Sequence, residues 1–318
     1  MNASQLEFGD QLNTAVLFLV FNRPDTTSQV FEAIRKARPP KLYVAADGPR
    51  LDREGELEKC AQVREIATAI DWPCELHTLF RDLNQGCKIA VSTAITWFFE
   101  HEEQGIILED DCLPSQSFFL FCQEMLNHYK NDTRVWHVAG VYPFATDSQD
   151  RNTYYFSEYN PIWGWATWRR AWNKFDAAIP FWPQISTTDT LEVLLGPQQA
   201  RKYRARFWRA FNGDVDTWDY QWFLTRLLHG KSVVPMVNMV SNIGFRGDAT
   251  HTFDPQSPMA SLEAVEMEFP IEHPEFFIVN KELDQRWANL NPLQPPAPQS
   301  GGGGFAAKVR KVVRKFLR

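Results

Sequence analysis

The sequence predicts an α/β fold in which a mostly parallel sheet is flanked by helices. Three observations predict it. Apolar, β-branched runs of strand length recur through the first half, separated by segments with apolar residues at helical spacing. Polar residues follow those runs directly, where open α/β sheets gather their ligands. The alternation itself implies parallel strands joined by crossover helices.

The elements follow in order. Thr14–Phe21 is a buried strand, stopped by Asn22-Arg23-Pro24; a helix over Thr26–Ala37 follows, with a capping Thr and apolar Val30, Phe31 and Ile34. Lys41–Ala46 is a second strand, ended by Asp47-Gly48. A charged helix near Gly55–Ile70, a strand at Glu75–Phe80 and a helix over Lys88–Glu100 come next. Ile106–Leu108 is an apolar strand running straight into three carboxylates; a helix over Ser115–Tyr129 and a strand at Val135–Ala139 complete the first half. After Tyr142 the pattern breaks into short aromatic pieces: Tyr154–Phe156, then Trp163 to Trp172. Helices are expected over Thr188–Leu195, Gln198–Phe211 and Trp218–His229, a strand at Ser232–Val234, and an irregular stretch to about Asn291. This divides the chain into a half at 14–141, a half at 142–292 in the same domain, a Pro/Gly linker at 293–304 and a basic helix at 305–318.

Charge narrows the partners. The net charge is −6, but Phe305–Arg318 holds six cations and no acid, so the remainder carries −12. A body that acidic is no nucleic-acid binder. In the tail Phe305, Val309, Val312, Val313, Phe316 and Leu317 form one apolar stripe, as in a helix lying flat on anionic lipid; a partner-binding helix is the alternative. Five Cys without CxxC spacing read as reduced thiols. Met1–Asn13 lacks a basic start and an apolar run, so a signal peptide is not expected, and no stretch reaches spanning length. The expected place is cytoplasmic, peripheral on the inner face of the membrane.

Glu109-Asp110-Asp111 is the sharpest feature. Adjacent carboxylates repel, a cation relieves them, and hard oxygen ligands suit Mg²⁺ or Mn²⁺; a solvated loop before the next helix is the alternative. Asp47 can accept bonds from a uracil or ribose, or be a turn residue before Gly48. Asn22 and Arg23 can contact a nucleotide from the first strand end. Arg81 and Lys88 flank a Gly turn at a helix start, an arrangement that offers donors to an anion. His251 can complete a metal shell or be an exposed loop residue. Trp163, Trp165 and Trp168 can floor a sugar site or pack as core.

In their order along the chain, NRP, DG, RDLNQG-CK and ILEDD resemble the GT-A nucleotide-sugar glycosyltransferases. The closest resemblance is to bacterial haemolysin-associated (HlpA-like) enzymes, with a more distant one to the inverting N-acetylglucosaminyltransferase I. The resemblance extends through Trp163–Trp168, Trp218–Trp222, Asn242–Phe245 and Ala249–Thr252, covering roughly residues 14–255. It implies a GT-A type Rossmann-like fold with an aromatic-rich acceptor side. Asp47 would hold uracil or ribose with Arg23 beside the base. Glu109 and Asp110 would contact ribose and diphosphate, and Asp111 the metal. A His expected in the helix over the nucleotide is replaced, with Ser92 standing there. Asp219 is the candidate base of an inverting transfer, against an N-cap role for the helix Tyr220–His229, with Asp216 as fallback. The expected donor is a UDP-sugar and the acceptor a surface-glycan or lipid-linked hydroxyl. A sugar-phosphate nucleotidyltransferase and a membrane-tethered sugar-binding protein with an inactive GT-A fold are the alternatives. The nucleotidyltransferase would carry a Gly-rich first loop, which Asn22-Arg23-Pro24 is not.

Overall fold

A computed structural model describes residues 11–144, 152–245 and 259–290. The first half alternates strand and helix: β1 (Val16–Val20), α1 (Pro24–Ala37), β2 (Lys41–Ala46), α2 (Glu56–Ala67), β3 (Glu75–Phe80), α3 (Cys87–His101), β4 (Gln104–Glu109), β5 (Cys112–Pro114), α4 (Gln116–His128) and β6 (Val135–Ala139). The second half holds β7 (Tyr154–Ser157), β8 (Trp165–Trp168), α5 (Arg169–Trp172), α6 (Trp182–Ile185), α7 (Thr190–Leu195), α8 (Pro197–Asn212), α9 (Asp219–His229), β9 (Lys231–Pro235), β10 (Val240–Asn242) and α10 (Lys281–Leu290).

Eight strands form one sheet in the order β3-β2-β1-β4-β8-β6-β9-β7, and β5 pairs with β10 in a small second sheet. β3, β2, β1 and β4 run parallel. β8 then inserts antiparallel between β4 and β6, β9 runs parallel to β6, and β7 closes the edge antiparallel. The sheet is therefore mixed α/β and mostly parallel, as its sequence pattern predicts.

The pleat explains the two-sided core. Val16, Phe18 and Val20 of β1 face one way, onto Val30 and Ile34 of α1, Val63 of α2 and Phe118 of α4. Leu17 and Leu19 face the other, onto Ala94, Ile95 and Phe98 of α3 and the rings of Trp172 and Trp222. A separate aromatic core ties α6, α7, α8 and α9 together through Trp182, Phe207 and Phe223.

Three expectations are corrected. α1 begins at Pro24, two residues before the predicted start, because proline's fixed φ suits the first helical position. Thr26 does not cap it, and the Thr27 hydroxyl donates back to the Arg23 carbonyl at 2.7 Å. Trp165 and Trp168 are strand residues of β8, 0% and 2% exposed. Trp165 stacks between His137, at 5.0 Å, and Trp218, at 5.6 Å, so it is core and not a sugar platform. The stretch expected to be irregular before Asn291 ends in α10, whose Asp284 joins a buried polar cluster. There Asp284 accepts bonds from the Ser157 hydroxyl and the Glu158 N–H, while the buried Arg226 donates to the Glu158 carbonyl. Burial lifts Asp284 to about 6.

The linker 293–304, the basic segment 305–318 and His251 lie outside the described residues. Among those described, no helix is long and apolar enough to cross a membrane. The five cysteines are free thiols.

Candidate active site

Because β1, β2 and β4 are parallel neighbours, their carboxyl ends bring Arg23, Asp47 and Glu109-Asp110-Asp111 to one edge of the sheet. They open into a cavity of about 710 Å³, which Arg81 also lines from the end of β3. Asp216 and Asp219, before and at the start of α9, line it too, with Arg206 and Arg209 from α8.

The acidic end of β4 is tightly built. The Arg23 guanidinium lies 2.9 Å from Asp111 Oδ2 and 3.6 Å from Asp110 Oδ1. The Phe21 N–H donates to Asp110 Oδ2 at 3.2 Å. Burial, then repulsion from Asp111, pushes the Glu109 and Asp110 carboxyls well above the ordinary range, with Arg23 opposing; Asp219 adds to the push on Glu109. Asp111 is anchored through its carbonyl, which accepts the Ile243 N–H at 2.8 Å. The chain after β10 passes so close that a Cβ on Gly244 would sit 2.3 Å from Asp111 Oδ2. Among the described residues no three His, Cys, Asp or Glu side chains converge into a ready-made metal cage. One or two carboxylates lining the large cavity nevertheless fit Mg²⁺ or Mn²⁺, which take their remaining ligands from water and phosphate.

Two other carboxylates organise the loop after β3. Asp47, 8% exposed, accepts N–H donors from Gly48 at 2.9 Å and Gln85 at 3.0 Å, and the Asn84 amide at 3.0 Å. Asp216 accepts the Cys87 and Lys88 N–H groups, both at 2.8 Å, so the amino terminus of α3 already holds an anion from its own chain. Gly86 is required at that turn: its φ is +79° and a Cβ would meet Asp216 Oδ2 at 2.6 Å. Asp216 thus caps a helix, which weakens it as the fallback base.

The remaining candidates divide. Arg81 lines the cavity and donates to Thr93 Oγ1 at 2.6 Å. Lys88 and Asn22 do not line it; the Asn22 amide instead binds Glu56 Oε1 at 2.8 Å. Ser92 is buried and donates to the Lys88 carbonyl. Sequence reasoning missed Glu56, which also binds the Arg50 N–H and guanidinium and so fixes the loop beside the site. It also missed Arg206 and Arg209, although five cations within the sixteen residues of α8 are a visible signal.

A second cavity of about 200 Å³ adjoins the first, and Ile162, Trp163, Arg206, Asp219 and Tyr220 line both. Asp219 is the first residue of α9, following the N-cap position, and accepts a bond from the Thr217 hydroxyl. It therefore stands at the junction of a polar chamber and an aromatic one. Trp163, unlike Trp165, keeps its ring at that junction, edge-on to Phe245 at 5.5 Å.

No family model matches the sequence, and no curated protein matches it. Some solved structures show a partial likeness to the chain. A mannosyltransferase from Pyrobaculum calidifontis in complex with GDP-Man and Mn²⁺ is 15% identical over 50% of this chain and 45% of its own, with a TM-score of 0.32. S. aureus TarS (residues 1–349) is 8% identical over 72% of this chain and 59% of its own, with a TM-score of 0.38. A UDP-glucose pyrophosphorylase complexed with UDP-glucose is 10% identical over 46% of this chain and 62% of its own, at 0.25. The chain thus spans less than two thirds of each of these proteins. At such scores the likenesses carry no argument about what this chain does.

Proposed function

We propose that the chain is a glycosyltransferase. It would move a sugar from a nucleotide-diphosphate donor, a UDP-sugar, to a hydroxyl of a surface-glycan or lipid-linked acceptor, with inversion. The observation that carries this reading is that Asp219 lines both cavities, the larger of which is also lined by the acidic end of β4.

The large cavity takes the donor. Arg81, Arg206 and Arg209 supply cationic walls for a diphosphate, and Asp47 sits at the end of β2 for the base or ribose. Asp111 would hold Mg²⁺ or Mn²⁺ with His251 as the proposed further ligand, while Glu109 and Asp110 would contact the ribose and diphosphate. Held there, such a metal would neutralise charge on the leaving diphosphate. The smaller cavity takes the acceptor, with Trp163 offering an aromatic face to a sugar ring. Asp219 accepts the proton of the acceptor hydroxyl as that oxygen attacks the anomeric carbon, on the face opposite the departing diphosphate. Holding both substrates across one junction supplies much of the rate by proximity.

The Asp219→Asn variant tests the reading. Its amide cannot take the proton, so transfer should fall at least a hundredfold. Calorimetry should show Mg²⁺-dependent UDP binding unchanged. Transfer that survives at the parental rate removes Asp219 as base. Unchanged UDP binding with no transfer by either protein points to the sugar-nucleotide-binding alternative.

A further inference from the structure

The two edges of the eight-stranded sheet are finished differently. At the β7 edge the chain returns: Val279 bridges to Phe156, and the Asn280 N–H donates to the Phe156 carbonyl. At the β3 edge no described strand pairs on the outer side. The inner ladder of β3 runs unbroken, from Glu75 opposite Lys41 to Phe80 opposite Ala46. The Glu75 N–H donates to the Pro40 carbonyl and the Arg81 N–H to that of Ala46. Odd-numbered residues therefore turn their backbone groups inward, and those of Leu76, Thr78 and Phe80 point out. The strand has no proline, bulge or lysine, the devices that keep such an edge from pairing, and its one carboxylate, Glu75, lies at its first position. Leu76 and Phe80 are 37% and 38% exposed.

We propose that the β3 edge pairs antiparallel with the same strand of a second copy, about a two-fold axis at Thr78. This register sets every outward residue against another. Thr78 meets Thr78, and Leu76 meets Phe80 on either side of the axis, each pair exchanging both backbone bonds. Leu76 and Phe80 then cover one another as cross-strand neighbours. Glu75 falls opposite Arg81 of the other copy, so unlike charges face across the seam and like charges do not meet. Slipping the pair by two residues sets His77 against itself in one direction and Leu76 against Asp82 in the other. The register at Thr78 has neither fault. Because the β7 edge is already occupied, the pairing closes at two copies. It is independent of the reaction proposed above.

Sedimentation velocity of the full chain without lipid tests it, over a concentration series reaching about 100 µM. The mass should rise from one copy to two and stop there. Thr78→Pro removes an N–H that points outward and serves nothing inside the sheet, so it should weaken the dimer roughly tenfold or more with circular dichroism unchanged. Leu76→Lys and Phe80→Glu should each weaken it comparably. Combined in one chain they should restore it, because the register sets the two new charges opposite each other. A chain that stays single at every concentration overturns the proposal. So does a dimer that survives Thr78→Pro and both single substitutions, or one that the combined variant fails to restore.

Discussion

Gly244 places its backbone where a side chain would collide with Asp111, and that close approach makes it a probe of the metal hypothesis. Gly244→Ala would bring a methyl to 2.3 Å from Oδ2 and 2.8 Å from Cβ of Asp111, so the carboxylate must turn away. Mg²⁺-linked UDP affinity should fall at least tenfold in calorimetry with the fold intact by circular dichroism. An unaltered metal dependence would remove Asp111 as the ligand. Glu56 gives a second test, on stability. Its carboxyl is held down to about 2, chiefly by the Arg50 guanidinium. A depressed acid stabilises the fold above its unfolded value of 4.5, and that contribution is lost as pH falls toward about 2. With Arg50 partly exposed, on the order of 2 kcal/mol is at stake. Glu56→Gln should lower the neutral-pH Tm and flatten the Tm profile between pH 4.5 and 2; a parallel loss at every pH would contradict the ion-pair origin. These residues also show what sequence could carry. Glu109-Asp110-Asp111 was legible because an apolar strand ran straight into it. Asn22 and Asp216 were not, because their partners lie 34 and 128 or more residues away and only the folded chain joins them.

At the scale of elements, legibility tracked the residues that end each run. β2, β3 and β6 fall on their predicted bounds, since their apolar patterns end where Asp, Arg or Gly begins. β8 was unreadable for the opposite reason. Its tryptophans are buried on both faces of an antiparallel strand threaded into a parallel sheet, and no short-range pattern encodes that insertion. α10 was missed because polar residues fill most of its ten positions. The tryptophan run now makes a paired prediction. Trp165→Ala empties a site packed against His137, Trp218 and Trp222 and should cost about 3–5 kcal/mol in denaturant unfolding. Trp163→Ala, at the cavity junction, should cost much less stability and instead raise the acceptor KM. A raised acceptor KM at Trp165 and none at Trp163 would move the platform role back to Trp165.

At the scale of the whole molecule, the dominant asymmetry is one of charge: a body carrying −12 joined through a Pro/Gly segment to a tail carrying +6. An acidic body is repelled by an anionic surface, so attachment through the body is disfavoured, and the segment at 305–318 is the place where attraction concentrates. We propose that this segment forms an amphipathic helix on anionic lipid. There, each cation contributes about 1 kcal/mol near the surface, and the apolar stripe from Phe305 to Leu317 inserts among the acyl chains. The two contributions separate experimentally. Full-length protein should co-sediment with vesicles of phosphatidylglycerol and phosphatidylcholine, and less so as salt rises, since only the electrostatic part is screened. Replacing Lys308, Lys311 and Lys315 by Gln should cut partitioning at least tenfold and weaken its salt dependence. Exchanging Phe316 and Leu317 for Ser should cut it while leaving the salt slope in place. Transfer to a water-soluble acceptor should be untouched by either change, because none of the substituted residues belongs to the proposed site. Partitioning that persists through both sets of substitutions would place the lipid-binding surface on the acidic body and defeat the proposal.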